Sequence, residues 1–201
     1  MSSEPTERRN GIGARIWARP SARWLLGVPL GGFAALIVGA VGLGVGNEIL
    51  HATSSNEFCY VCHSHEQFIR PEYEASSHFS NTSGVRADCA DCHLPHGQID
   101  LILTKIVVSV DIIPELMGKL GTAEKFEAAR SEMAESVWEE YRANDSEYCR
   151  HCHMIEAMDL DTQGGIARRR HATASERDLT CIDCHQGIVH ALPQEPTPDS
   201  G

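Results

Sequence analysis

Cys-x-x-Cys-His occurs four times in this chain and uses all 8 of its cysteines. The copies are Cys59-Tyr60-Val61-Cys62-His63, Cys89-Ala90-Asp91-Cys92-His93, Cys149-Arg150-His151-Cys152-His153 and Cys181-Ile182-Asp183-Cys184-His185. No thiol remains for a disulfide framework. Two thiols at this spacing add to the two vinyl groups of one haem, and the histidine that follows ligates its iron. Zinc sites and thioredoxin-like redox pairs also use Cys-x-x-Cys, but neither needs a histidine after the second cysteine in every copy. The motif therefore predicts four covalent haem c groups, attached at Cys59, Cys62, Cys89, Cys92, Cys149, Cys152, Cys181 and Cys184. His63, His93, His153 and His185 are their expected proximal ligands.

The 151 residues after position 50 leave fewer than about forty for each haem, too few for a conventional core. The porphyrins must supply that core. The expected fold is mostly α with extensive irregular loops, a multihaem cytochrome c organised around four haems, plus one N-terminal transmembrane helix.

Trp24 to Gly46 carries no charge. At about 1.5 Å rise per residue such a stretch spans a bilayer, and it is longer than the apolar part of a cleavable signal peptide. Residues 24–46 are thus expected to be an uncleaved signal anchor. Arg8, Arg9, Arg15, Arg19 and Arg23 precede it, whereas Glu48 and Glu57 follow. Positive charge marks the cytoplasmic side. Residues 1–23 are expected in the cytoplasm, and the haem domain, 51–191, in the periplasm of a bacterial inner membrane, where c-type haem is attached. Gly27-x-x-x-Gly31 and Gly42-x-x-x-Gly46 offer close helix contact, hence a homodimer through the anchor.

Beyond residue 50 the chain carries 12 Lys and Arg against 25 Asp and Glu. This acidity argues against nucleic acid as a partner and favours a soluble partner with a basic docking face.

Motif spacing reveals a repeat. Cys59 to Cys89 and Cys149 to Cys181 are similar intervals with a longer gap between, which suggests two dihaem halves, about 51–120 and 145–191. A free histidine recurs in each, His78 before Cys89 and His171 before Cys181, so each is a candidate distal iron ligand; His190 is a third. The connector, about 122–145, has Phe126, Met133, Val137 and Tyr141 at helical spacing, with Thr122 as N-cap and Glu124 in the first turn. Gly97 to Pro114 is apolar on most sides but too short to span, which suits a segment lying in the membrane interface. Lys105 inside it has the reach to snorkel. Residues 192–201 are expected to be a disordered tail.

The whole chain resembles the NapC/NirT family of membrane-anchored tetrahaem quinol dehydrogenases, which includes NrfH. The resemblance covers the anchor, Phe58-Cys59 to His63, His78 followed by Ser83-Gly84-Val85-Arg86-Ala87-x-Cys89, and Cys92-His93-x-Pro95-His96. It continues through Lys125-Phe126-Glu127-Ala128, Ala143-Asn144-Asp145-Ser146 and Cys181-Ile182-Asp183-Cys184-His185-x-Gly187-Ile188-x-His190.

This resemblance implies oxidation of menaquinol or ubiquinol from the membrane pool and electron relay through four haems to a periplasmic reductase or soluble cytochrome in anaerobic respiration. It places the distal histidines on His78, His171 and His190, and the quinol contacts on Lys105 and Asp111, beside a first haem with an open or weakly held position. One position departs from the family pattern. Where Cys-x-x-Cys-His-x-Met usually supplies methionine to the first iron, this chain has His65. Either His63 or His65 then binds that iron, with a lower potential expected because imidazole is the stronger donor. If both positions on that iron were filled, the chain would instead be an electron-transfer adaptor without its own quinol site, reduced by another membrane dehydrogenase.

Made in cells that cannot attach haem, the exported domain is expected to remain unfolded. Circular dichroism should then show no cooperative thermal transition, in contrast to haem-loaded protein.

Overall fold

The computed structural model describes residues 11–20 and 25–194. The side chains of Leu26, Asp111 and Ser175 fall outside that description, as do most of the N-terminal segment and residues 195–201 of the expected tail. The chain divides into two units, residues 1–52 and 53–201. No strand occurs among the described residues.

In the first unit a short helix α1 (Ile12–Ile16) precedes α2 (Leu30–Ala52), a helix of 23 residues. α2 is apolar around its circumference, as a membrane span is and a helix at a protein surface is not. Leu36, Ile37, Val38 and Leu43 all lie exposed on it. Its register differs from the expected 24–46 for a backbone reason. Leu25 and Gly27 have φ of 55° and 76°, left-handed values that end a helix, and Pro29 starts the next but cannot continue an earlier one. Gly27 therefore does not share a helix with Gly31, and a Cβ on Gly31 would meet the Trp17 ring at 2.9 Å. Gly42 and Gly46 remain together on α2 with open space above them.

The second unit consists of short helices strung on loops. They are α3 (Asn56–Cys59), α4 (Arg70–Glu74), α5 (Cys89–His93), α6 (Gln98–Val108), α7 (Ile112–Leu116), α8 (Ala123–Ala143), α9 (Glu147–Arg150) and α10 (Gly165–Thr173). Only Tyr73, Phe126, Tyr141, Tyr148 and Ile182 are buried hydrophobics among the described residues. Five such side chains cannot hold a domain of this size in water.

α8 is the organiser. Thr122 Oγ1 caps it by accepting from Lys125 N–H at 3.4 Å, with Glu124 in the first turn. Its apolar stripe buries Phe126 against Phe68, ring centres 4.9 Å apart, and Tyr141 against Tyr148 at 5.3 Å. Beyond its end Asp145 and Ser146 take φ of 54° and 51°, uncommon for residues with a Cβ. The reversal is held by Ser146, fully buried, whose hydroxyl accepts from Ile182 N–H at 3.3 Å. The Tyr141 hydroxyl donates to Cys92 O, which ties α8 to the second motif.

Tyr141→Phe removes that bond and leaves a carbonyl short of a partner. It should destabilise the haem-loaded protein by about 1 kcal/mol, seen as a Tm lower by roughly 2–4 °C when Soret absorbance is followed on heating.

Candidate haem-binding sites

Three of the four motifs begin on a turn capped by a side chain. In the second and fourth, the residue before the second cysteine is Asp, and its carboxylate reaches back to an amide ahead of the turn. Asp91 Oδ2 accepts from Asp88 N–H at 2.7 Å, and Asp183 Oδ2 from Thr180 N–H at 2.8 Å, each completing a capping box. In the first motif, Ser55 Oγ accepts from Phe58 N–H at 3.2 Å. The third is entered through Ser146 in a left-handed conformation and has no side-chain cap.

The motifs pack in chain order. Asn56 joins the first to the second, accepting from Cys89 N–H and donating to Asp88 Oδ1, both at 2.9 Å. Cys59 and Cys89 meet there, and the thiol bond from Cys89 outweighs burial and pulls Cys59 down to about 7. The second meets the third where His96 stacks on His151, ring centres 3.7 Å apart. Arg142 bridges to Asp183 at 3.2 Å, which ties α8 to the fourth.

Three pairs of imidazoles face one another. Ring centres are 6.2 Å apart for His78 and His153, 6.2 Å for His93 and His190, and 5.9 Å for His171 and His185. A metal bonded at about 2 Å to one nitrogen of each of two opposed imidazoles sets their centres roughly 6 Å apart. The spacing fits iron between each pair. Among the described residues no group of three or more His, Cys, Asp or Glu could hold a metal ion; a haem would bring its own four nitrogen donors to each pair. The neighbouring thiols and the scarcity of protein core fit the same group.

The environment favours neutral rings, the form that binds a metal. Burial pushes His78 down, with His153 adding to it. His190 is lowered chiefly by burial. His93 is solvent-accessible, yet the protein crowded round it, then His190 and His65, push it down to about 4. Outer partners differ. His171 Nδ1 lies 2.7 Å from Gln163 Oε1, whereas the buried Nδ1 atoms of His78 and His190 have no hydrogen-bond partner.

The two expected halves interlock. His78 precedes the second motif yet faces the third, and His190 follows the fourth yet faces the second. Only His171 faces the histidine of its own half.

Around the first motif, Ser64 is buried between His63 and His65, and its N–H donates to Glu115 Oε1 on α7 at 2.9 Å. Burial opposes ionisation of Glu115, but the Ser64 bonds, His65 and His63 outweigh it and hold the carboxyl below its ordinary range. Burial lowers His65. Lys105 Nζ donates to Thr53 O at 2.9 Å, and burial lowers this amine. Thr53 directly follows the last residue of α2. Asp111 ends the turn Ser109–Asp111. Near it, Ile99, Leu103, Ile106, Val107, Val110 and Leu116 are all exposed.

Glu115, Gln163, Glu72 and Arg130 were not anticipated from sequence. Arg130 carried a signal, since it falls four residues after Phe126 on the stripe that continues through Met133, Val137 and Tyr141.

Comparison with known proteins identifies the family. The chain is 40% identical over 188 residues to the denitrification system component NirT of Stutzerimonas stutzeri, covering 94% of this chain and 92% of that protein. It is 38% identical over 190 residues to the cytochrome c-type protein NapC of Escherichia coli K12, 94% of each. It is 46% identical over 159 residues to the cytochrome c-type protein TorY of Haemophilus influenzae, 77% of this chain but 43% of that protein, so it spans less than half of that longer relative. No solved structure gives a significant match. The profile described as NapC/NirT cytochrome c family, N-terminal region, matches residues 20–195, and the chain belongs to that family.

Proposed function

We propose that the chain is a membrane-anchored tetrahaem cytochrome c that oxidises quinol and relays electrons to a periplasmic reductase. The observation that carries this reading is the set of three imidazole pairs at one spacing, on motifs that abut in chain order. The ligand pairs are His78 with His153, His93 with His190 and His171 with His185. His63 and His65 remain for the first iron. Each haem, when bound, takes up and releases one electron at a time.

α2 anchors the chain, with its arginine-rich leading side in the cytoplasm and residues 53–194 in the periplasm. The exposed apolar face of α6 and α7 rests in the membrane interface. Lys105, whose Nζ donates to Thr53 O, meets the quinol headgroup in this reading. Its ammonium donates to a headgroup oxygen. Quinol releases two protons that haem does not take, so Asp111 serves as acceptor and passes them toward the periplasm. Glu115 holds the Ser64 amide and thereby the backbone that carries His63 and His65. The acceptor is a periplasmic reductase or soluble cytochrome with a basic docking face. Gly42 and Gly46 leave a surface for pairing two anchors.

Lys105→Ala should slow reduction by a quinol analogue at least tenfold while all haem remains reducible by dithionite; unchanged quinol kinetics would remove this site and leave an adaptor reduced by another dehydrogenase. For the ligand pairs, His78→Ala and His171→Ala should each convert one low-spin haem signal to high-spin in electron paramagnetic resonance, and the double variant two. Loss of the same signal in both single variants would contradict the pairing.

A further inference from the structure

Arg130 is buried, its side chain 7% exposed, and the reading above gives it no task. Its guanidinium makes five hydrogen bonds. Nε and Nη2 fork onto Glu127, both at 2.7 Å. Nη1 and Nη2 fork onto Glu72 of α4, at 3.2 and 2.7 Å. Nη1 also donates to Ala191 O at 3.2 Å. Glu72 Oε2 accepts from Ala191 N–H at 3.0 Å. Both polar backbone groups of the residue after His190 are therefore held by one ion pair.

His190 itself lies against that pair. Its buried Nδ1, which has no hydrogen-bond partner, is 3.6 Å from Glu72 Oε2, beyond hydrogen-bond length but within close reach of the carboxylate charge, while its ring centre lies 6.2 Å from that of His93. Burying an arginine costs more than a packed apolar side chain would, and hydrophobic residues occupy the neighbouring positions of the same stripe. A carboxylate pinned from two sides toward the far nitrogen of a metal-binding imidazole is the arrangement that fixes tautomer and ring orientation and raises ligand basicity. Gln163 on His171 offers only a neutral amide oxygen, so the electrostatics behind these two histidines differ.

We propose that Glu72, locked by Arg130, is the positioning residue for His190, keeping its proton on Nδ1, leaving Nε2 as the donor, and lowering the reduction potential of the haem held by His93 and His190. Glu127 completes the fork on Arg130 and does not face the histidine. This assignment rests on the His93–His190 pairing proposed above.

The test is a spectroscopically monitored redox titration of the haem-loaded, full-length protein. Glu72→Gln keeps the size and one acceptor oxygen but removes the anion behind His190. It should raise one component of the titration by about 59 mV, a tenfold change for one electron, shift one low-spin resonance, and leave the other components in place. Arg130→Lys, which keeps the positive charge but loosens the fork, should give a smaller shift of the same component. Unmoved potentials in Glu72→Gln, or lower thermal stability without a selective shift, would overturn the proposal. His190→Ala separates the two levels of the argument. If it turns one haem high-spin while Glu72→Gln moves nothing, only the role of Glu72 falls; if it leaves every haem low-spin, the pairing itself falls.

Discussion

Opposed imidazoles separated by the width of a metal atom are the constraint around which the second unit is arranged. Histidines pack against one another in ordinary cores, but three pairs sharing one separation fit a common ligand, as proposed above. Two of the pairs draw together distant parts of the chain, so the loops between need little regular structure of their own. The few buried aromatics then work as local clamps. Tyr141 and Tyr148 set the third motif against α8, and Phe126 seats Phe68 beside α4.

The polar contacts follow the same plan. Capping carboxylates shape the second and fourth turns, Asn56 couples the first two, and Ser146 closes the reversal that delivers the third. In a protein with so little apolar burial, a single hydrogen bond is a larger share of what fixes the backbone than in a domain with a full core. The acidic surplus of this region stays mostly at its surface, while the buried ion pair at Arg130 lies where a histidine must be aimed.

Much of this was readable from residues alone. The thiol pairs and their histidines declare themselves by spacing, and Thr122 with the stripe of Phe126, Met133, Val137 and Tyr141 located α8 to within a residue or two. His78, His171 and His190 were recognisable as unusual. Which motif each of them faces was not readable, because repeat spacing implies pairing within a half and says nothing of a chain that folds back across itself. The register of α2 was misplaced because hydropathy counts apolar residues and is blind to the positive φ at Leu25 and Gly27. Arg130 lay in plain sight on an apolar stripe, but its partners Glu72 and Ala191 are remote in sequence, and only the folded chain brings them together.

The crossing of His78 and His190 between halves bears on how such a protein is made. Export proceeds from the N-terminus, so His78 emerges well before the third motif that it faces. The second motif, already outside, waits for His190 near the far end. Under the proposed pairing, haem attachment can begin early, coordination closes last at His190, and neither half holds a complete set of ligands by itself.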